Sequence, residues 1–263
     1  MVPVLTSSYP TIGDFMDIFE KYFDHYVIFA RIKPIFFILL PIVLAVLISE
    51  PSVQTWGATI LTFLVTFGVI SFLSNTVSIA GNDIQTKLFA KWGGSPTTRF
   101  LRHEDTYIDE FTKQRYHNWL SKNIGGLTLP SKEEESQDKG RADKIYQSAT
   151  NYLLEKTRDT STYHLLYKDL VNYGFVRNLF ALKWWGVSSS LLAMGIFGID
   201  ATVSAQTSAS ISELFDNGLL PLLGIIITAI MLTIFIFVIN EGLVKSRAER
   251  YAKSLLSCCD LTK

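Results

Sequence analysis

Every one of the 24 lysines and arginines in this 263-residue chain can be put on one side of a membrane. Four apolar stretches, residues 34–49, 59–80, 184–203 and 219–240, divide the sequence, and neither of the two outward connections carries a basic residue. Three basic residues precede the first stretch (Lys21, Arg31 and Lys33), 16 run from Lys87 to Lys183, and five follow the fourth. Lysine and arginine accumulate on the cytoplasmic side of multispanning proteins. The segregation therefore predicts an all-α integral membrane protein with four transmembrane helices and both termini in the cytoplasm. Four acids, Glu50, Asp200, Glu213 and Asp216, fall outside, so a formal net charge of zero hides a polarised molecule.

A hydrocarbon core is about 30 Å thick and a helix rises about 1.5 Å per residue. The first stretch is short on that measure, covering about 24 Å, and Pro41 interrupts its hydrogen-bond ladder. Extending it back to Val27, with Arg31 and Lys33 reaching to the inner interface, restores the length. Trp56 stands at the outer entrance to the second span, and Trp184 and Trp185 stand at the inner entrance to the third, where aromatic rings anchor helices. The acidic N-terminus lacks the basic region of a cleavable signal, so the first hydrophobic helix is expected to direct insertion. Cys258 and Cys259 are adjacent and cytoplasmic, which makes neither a disulfide framework nor a zinc site.

Five segments follow. Residues 1–33 form a cytoplasmic amphipathic helix, with an apolar stripe of Phe15, Ile18, Phe19, Tyr22, Phe23 and Tyr26 opposite acidic positions. Residues 34–80 are the first transmembrane hairpin, 81–183 a cytoplasmic domain, 184–240 the second hairpin and 241–263 a cytoplasmic C-terminal helix. The domain reads as helical throughout, because Ala142, Ile145, Tyr146, Ala149 and Leu153 recur at helical spacing, as do Tyr163, Leu166, Tyr167, Leu170 and Val171. The second of these helices is expected to continue through Leu179 into the third span. Gly125-Gly126 and the acidic run after Ser131 mark a subdomain boundary.

The segment Lys91-Trp92-Gly93-Gly94-Ser95-Pro96-Thr97-Thr98-Arg99-Phe100-Leu101-Arg102-His103 is the most distinctive. Two glycines end one helix, Ser95 suits the cap of the next and Pro96 its first position. Arg99 and Arg102, three residues apart, add charged forks near that helix start, which is the chemistry of an anion site. The structural alternative is a capped helix whose arginines face solvent or lipid phosphate. Lys113, Arg115 and Trp119, with Tyr116 and His117 between them, mix basic and flat side chains as nucleotide or single-stranded oligonucleotide sites do, although interface anchors have the same composition. His103 beside Glu104, Asp105 and Asp109 is the one cluster of metal-ligand type, and charged helix faces produce such clusters routinely. The sequence has no Walker loop, nucleophile elbow or dinucleotide fingerprint, so neither an enzymatic activity nor a cofactor is expected.

Ionisable residues are nearly absent from the spans, which disfavours a proton-coupled transporter. Asn75 in the second span and Ser189 in the third are candidates for lining an aqueous path in a homo-oligomer, with Asp200 at its outer mouth. Gly186 with Ser190, and Ser189 with Ala193, equally suit close helix packing.

The segments Trp92-Gly93-Gly94-Ser95-Pro96-Thr97-Thr98-Arg99 and Asn172-Tyr173-Gly174-Phe175-Val176-Arg177-Asn178 resemble fingerprints of bacterial four-span inner-membrane proteins. Two hairpins bracketing a cytoplasmic domain are similar in layout to the membrane effectors of antiphage systems controlled by a nucleotidyltransferase product. That resemblance implies gating by a nucleotide or oligonucleotide and growth arrest through membrane leakage. A non-conducting membrane anchor that recruits a cytoplasmic partner protein is the competing reading.

The topology predicts that a cysteine placed at Ser208 is labelled by an impermeant reagent on intact cells. Labelling that requires lysis contradicts it.

Overall fold

The computed structural model describes residues 24–49, 56–207 and 211–261, with the side chains of 56–72 and 211–217 outside the description. The expected amphipathic stripe from Phe15 to Phe23, and the outer acid Glu50, lie outside the described residues. Every regular element described is helical.

A π-helical turn, Val27–Ile32, leads into α1 (Lys33–Ser49). There follow α2 (Trp56–Lys91), α3 (Pro96–Leu101), α4 (Glu110–Asn123), α5 (Lys132–Gln137), α6 (Lys139–Lys156), α7 (His164–Ala181), α8 (Lys183–Thr207), α9 (Ile211–Thr233) and α10 (Glu241–Ser257). A second π-helical turn, Ile234–Val238, extends α9.

Among the described residues three helices are long and apolar enough to cross a membrane: Val27–Ser49, Lys183–Thr207 and Gly218–Val238. Their 23, 25 and 21 residues correspond to about 31–38 Å, enough for a hydrocarbon core. The second apolar stretch is helical as part of α2, but most of its side chains fall outside the description, so the described count is three rather than four. The first span does extend back to Val27, and Lys33 Nζ lies 3.3 Å from the centre of the Phe29 ring.

The spans pack through small residues. Gly186 of α8 receives the ring of Phe235, and Gly224 of α9 receives the ring of Phe197, in each case so closely that a Cβ would overlap it. Both rings are fully buried. Ser189, Ser190 and Ala193 complete the same buried face of α8. This is the small-residue packing of membrane helices, in which backbone approach and dispersion replace the hydrophobic effect.

The largest part of the core outside the apolar helices is built by α3, α4, α6 and α10, with Phe100, Leu120, Tyr146, Leu153 and Leu255 fully buried in one cluster. The last helix is thus part of the same core as residues 81–183, although a span pair separates them in sequence. Cys258 and Cys259 close that core, and burial pushes both thiols up, Cys259 to about 12. Neither has the depressed pKa of a reactive thiolate.

One expectation is corrected. Helix α7 does not run unbroken into the third span: it ends at Ala181, Leu182 has left helical geometry, and α8 restarts at Lys183. The break is a single residue, and the Leu182 amide still donates to the Asn178 carbonyl at 3.1 Å while its own carbonyl accepts from Gly186 at 3.2 Å.

Candidate functional site

The turn at residues 92–95 forms as its sequence dictates. Gly93 and Gly94 have φ of 78° and 128°, a region that side chains disfavour. The chain then reverses, Ser95 Oγ accepts from the Thr98 amide at 3.3 Å, and Pro96 opens α3.

The two arginines that follow are turned into the fold. Arg102 donates from Nε and Nη2 to the two oxygens of Asp143, both at 2.8 Å, and from Nη2 to the Gly93 carbonyl at 2.7 Å. The hydrogen-bonded Asp143 carboxylate raises its pKa. This bidentate fork joins the 92–95 turn to α6. Arg99 lies between Asp105 at 3.5 Å and Glu249 of α10 at 3.9 Å, and its buried Nη1 makes no hydrogen bond. Both guanidiniums therefore already face carboxylates.

His103 and Lys113 are brought together at a cavity of about 320 Å3 that also meets Asp105, Asp109, Glu110 and His117. Lys113 is buried, and its ammonium donates to the carbonyls of Arg102, at 2.7 Å, and of Asp105. Burial lowers its pKa. Buried Glu135 accepts from the His103 amide at 3.1 and 3.0 Å and from the Tyr146 hydroxyl at 2.6 Å. His103 Nε2 is 3.0 Å from the Pro130 carbonyl and His117 Nε2 2.8 Å from that of Leu101, with the two rings edge-on at 5.0 Å. A carbonyl only accepts, so each Nε2 carries the proton. The cluster organises the 102–109 loop, and no group of three metal-ligating side chains occurs among the described residues.

The remaining candidates are dispersed. Arg115 is exposed and pairs with Asp260 at 3.1 Å, while Trp119 packs against the cytoplasmic core. Asn75 is exposed on α2, Ser189 is buried on the packing face of α8, and Asp200 accepts a hydrogen bond from Ser49 Oγ across α1 and α8.

A polar junction that the candidate residues did not include lies where α7 meets α2 and the first π-helical turn. Gln85 Oε1 of α2 accepts from Tyr173 at 2.9 Å and from Arg177 Nη1 at 2.7 Å. Fully buried Asn178 donates to the Ala30 carbonyl in the first π-helical turn at 2.7 Å. Gly81 of α2 faces them, and a Cβ there would overlap Asn178 Oδ1. The available signal was a polar Arg-Asn pair one turn before an aromatic membrane entrance, a place where long basic chains are ordinarily read as anchors.

Burial first, then the His103 and Lys113 charges, hold the His117 imidazole below its ordinary pKa, against the opposing Leu101 hydrogen bond. An unfolded chain takes up that proton near pH 6.5 whereas the folded one does so only at lower pH. The His117 contribution to stability is thus full above about pH 6.5 and declines as pH falls toward the folded value. Thermal melts of the solubilised chain should show a midpoint that drops on acidification through this window, with a smaller drop in His117→Gln. An equal drop in the variant contradicts the assignment.

No protein-family model matches the chain, and no curated protein and no solved structure is significantly similar to it.

Proposed function

We propose that the protein is an oligomeric, ligand-gated membrane effector channel with four spans, both termini cytoplasmic and the cytoplasmic domain as its sensor. The reading places it in a bacterial inner membrane, where the resemblance in layout suggests a role in antiphage defence under nucleotide or oligonucleotide control.

The observation that carries the channel reading is a polar stripe on α2. Asn75, Asn82 and Thr86 are exposed, with Ile79 among them. At 100° per residue these four positions fall within an arc of about 60°. Asn75 belongs to the apolar stretch 59–80, where an exposed amide facing lipid is costly. A second subunit, or water in a shared path, relieves that cost. Helix α2 packs on α7 and the first π-helical turn through the opposite side, with Leu88 buried among Tyr173, Val176 and Val244. Its polar side is thus left for neighbours in an oligomer. Outer acids without basic partners concentrate cations at the mouth of such an assembly.

Purified protein in planar bilayers under a salt gradient should give a cation-preferring conductance. Asn75→Leu should lower it several-fold while the oligomer is retained. Anion preference, or no conductance with any phosphate-bearing ligand tested, contradicts the channel and leaves the membrane anchor.

A further inference from the structure

One cavity meets both halves of the fold and holds a charge that no carboxylate among the described residues pairs. It encloses about 250 Å3 between α2, α3, α6, α7 and α10. Gln85, Ser95, Thr97, Tyr173, Arg177 and Tyr251 are on its wall, and Arg177 is the one wall residue charged at neutral pH. That arginine is only 7% exposed.

Its partners are all neutral. Nη1 donates to Gln85 Oε1 at 2.7 Å, Nε and Nη2 donate to Asn178 Oδ1 at 3.4 and 3.3 Å, and the Tyr173 ring lies 5.7 Å away. Among the described residues no carboxylate comes within ion-pair distance of it. Arg99, Arg102 and Arg250 each face one. Arginine does not release its proton in a protein, and a buried cation without a counter-charge is strongly disfavoured unless an anion is supplied.

The guanidinium is also fixed in place. A Cβ at Gly81 would press on Arg177 Nε as well as on Asn178, so the close approach of α2 depends on glycine there. Three of the five N–H donors of the fork are engaged by Gln85 and Asn178, which leaves two for a ligand. Ser95 Oγ accepts from the Thr98 amide and is hydrogen-bonded to the Thr97 and Thr98 hydroxyls at 3.0 and 2.8 Å, so its own proton is engaged; when it donates to Thr97, the Thr97 O–H is left on the same wall.

We propose that this cavity is a binding site for a phosphate group, with the Arg177 fork as its charged contact and the Thr97 hydroxyl as its neutral one. Its volume lies under the ~300–1,000 Å3 of pockets for drug-sized ligands. It accommodates the phosphate end of a larger molecule rather than a whole nucleotide. The proposal rests on the reading of a ligand-responsive membrane protein and specifies its ligand class and site. Bound phosphate touches α2 and α7 on the membrane side and α3 on the cytoplasmic side, and so ties the sensor to the spans. The phosphate can come from a soluble metabolite or from a lipid headgroup, because α7 leads directly to the Trp184 entrance of α8.

Thermal melts of the full chain decide between these sources. One arm uses neutral detergent with rising inorganic phosphate or pyrophosphate at constant ionic strength; the other compares nanodiscs of phosphatidylglycerol with phosphatidylcholine. A midpoint that rises with soluble phosphate, or only with the anionic lipid, supports the site and names the source. Arg177→Gln should weaken the response at least about tenfold, the loss expected for a charge-assisted contact. Gln85→Glu is the second variant, since it places a carboxylate against the fork. It should raise the midpoint without phosphate and abolish the response. No response in either arm, or a response retained in Gln85→Glu or Arg177→Gln, overturns the proposal. The readout needs no conductance: a phosphate response with silent bilayers removes the channel and keeps the site, and conductance without a phosphate response does the reverse.

Discussion

Two helices long and apolar enough to cross a membrane open into π-helical turns, and in each a side chain from elsewhere takes a backbone carbonyl. At the start of the first span, the Ala30 carbonyl accepts from Asn178 Nδ2 at 2.7 Å; at the end of the last, the Ile236 carbonyl accepts from Lys183 Nζ at 2.9 Å. A widened turn presents carbonyls less well satisfied within the helix, and such turns are often found at functional positions. Asn178 and Lys183 flank the break at Leu182, so one short stretch of chain holds the first and last spans together. The Ala30 contact is buried, where an acceptor left unpaired costs about 1–3 kcal/mol, so it fixes the register of α7 against the first span, whereas the Lys183 contact is exposed.

The rest of the arrangement follows from that attachment. With α7 held beside the first span, its other faces meet α2 through Gln85 and α10 through the stacked rings of Tyr173 and Tyr251. Asp169 of the same helix accepts from Arg250 at 2.9 Å and Ser254 at 2.5 Å on α10. The C-terminal helix is thereby drawn into the core that residues 81–183 would otherwise have to build alone at a size where burial is marginal. Helix α7 belongs to that core, and after the turn at Leu182 the chain enters the apolar helix α8.

Local chemistry was legible in the sequence. The Ser95 cap, the Pro96 start, the apolar face of α6 and the backward extension of the first span all depend on residues a few positions apart, where period and cap chemistry decide. The partners of Arg102 and Arg177 were not legible. Arg102 reads as a free charge because Asp143 lies 41 positions away, and only the packing of α3 on α6 brings them together. Arg177 stands in the sequence only as part of the Asn172 to Asn178 segment, because nothing in its neighbourhood tells whether its counter-charge is lipid, carboxylate or ligand. The π-helical turns have no sequence signature at all, since Val27–Ile32 and Ile234–Val238 are as apolar as ordinary span ends.

The central claim is that the Asn178 junction couples the core of α3, α4, α6 and α10 to the apolar helices, and hydrogen exchange on Asn178→Ala tests it most directly. The account predicts faster exchange not only within α7 but also across the turn at 27–32 and in α2 around Gly81 to Gln85, as the shared contact is lost. Faster exchange confined to the turn of α7 that carries the substitution would contradict it.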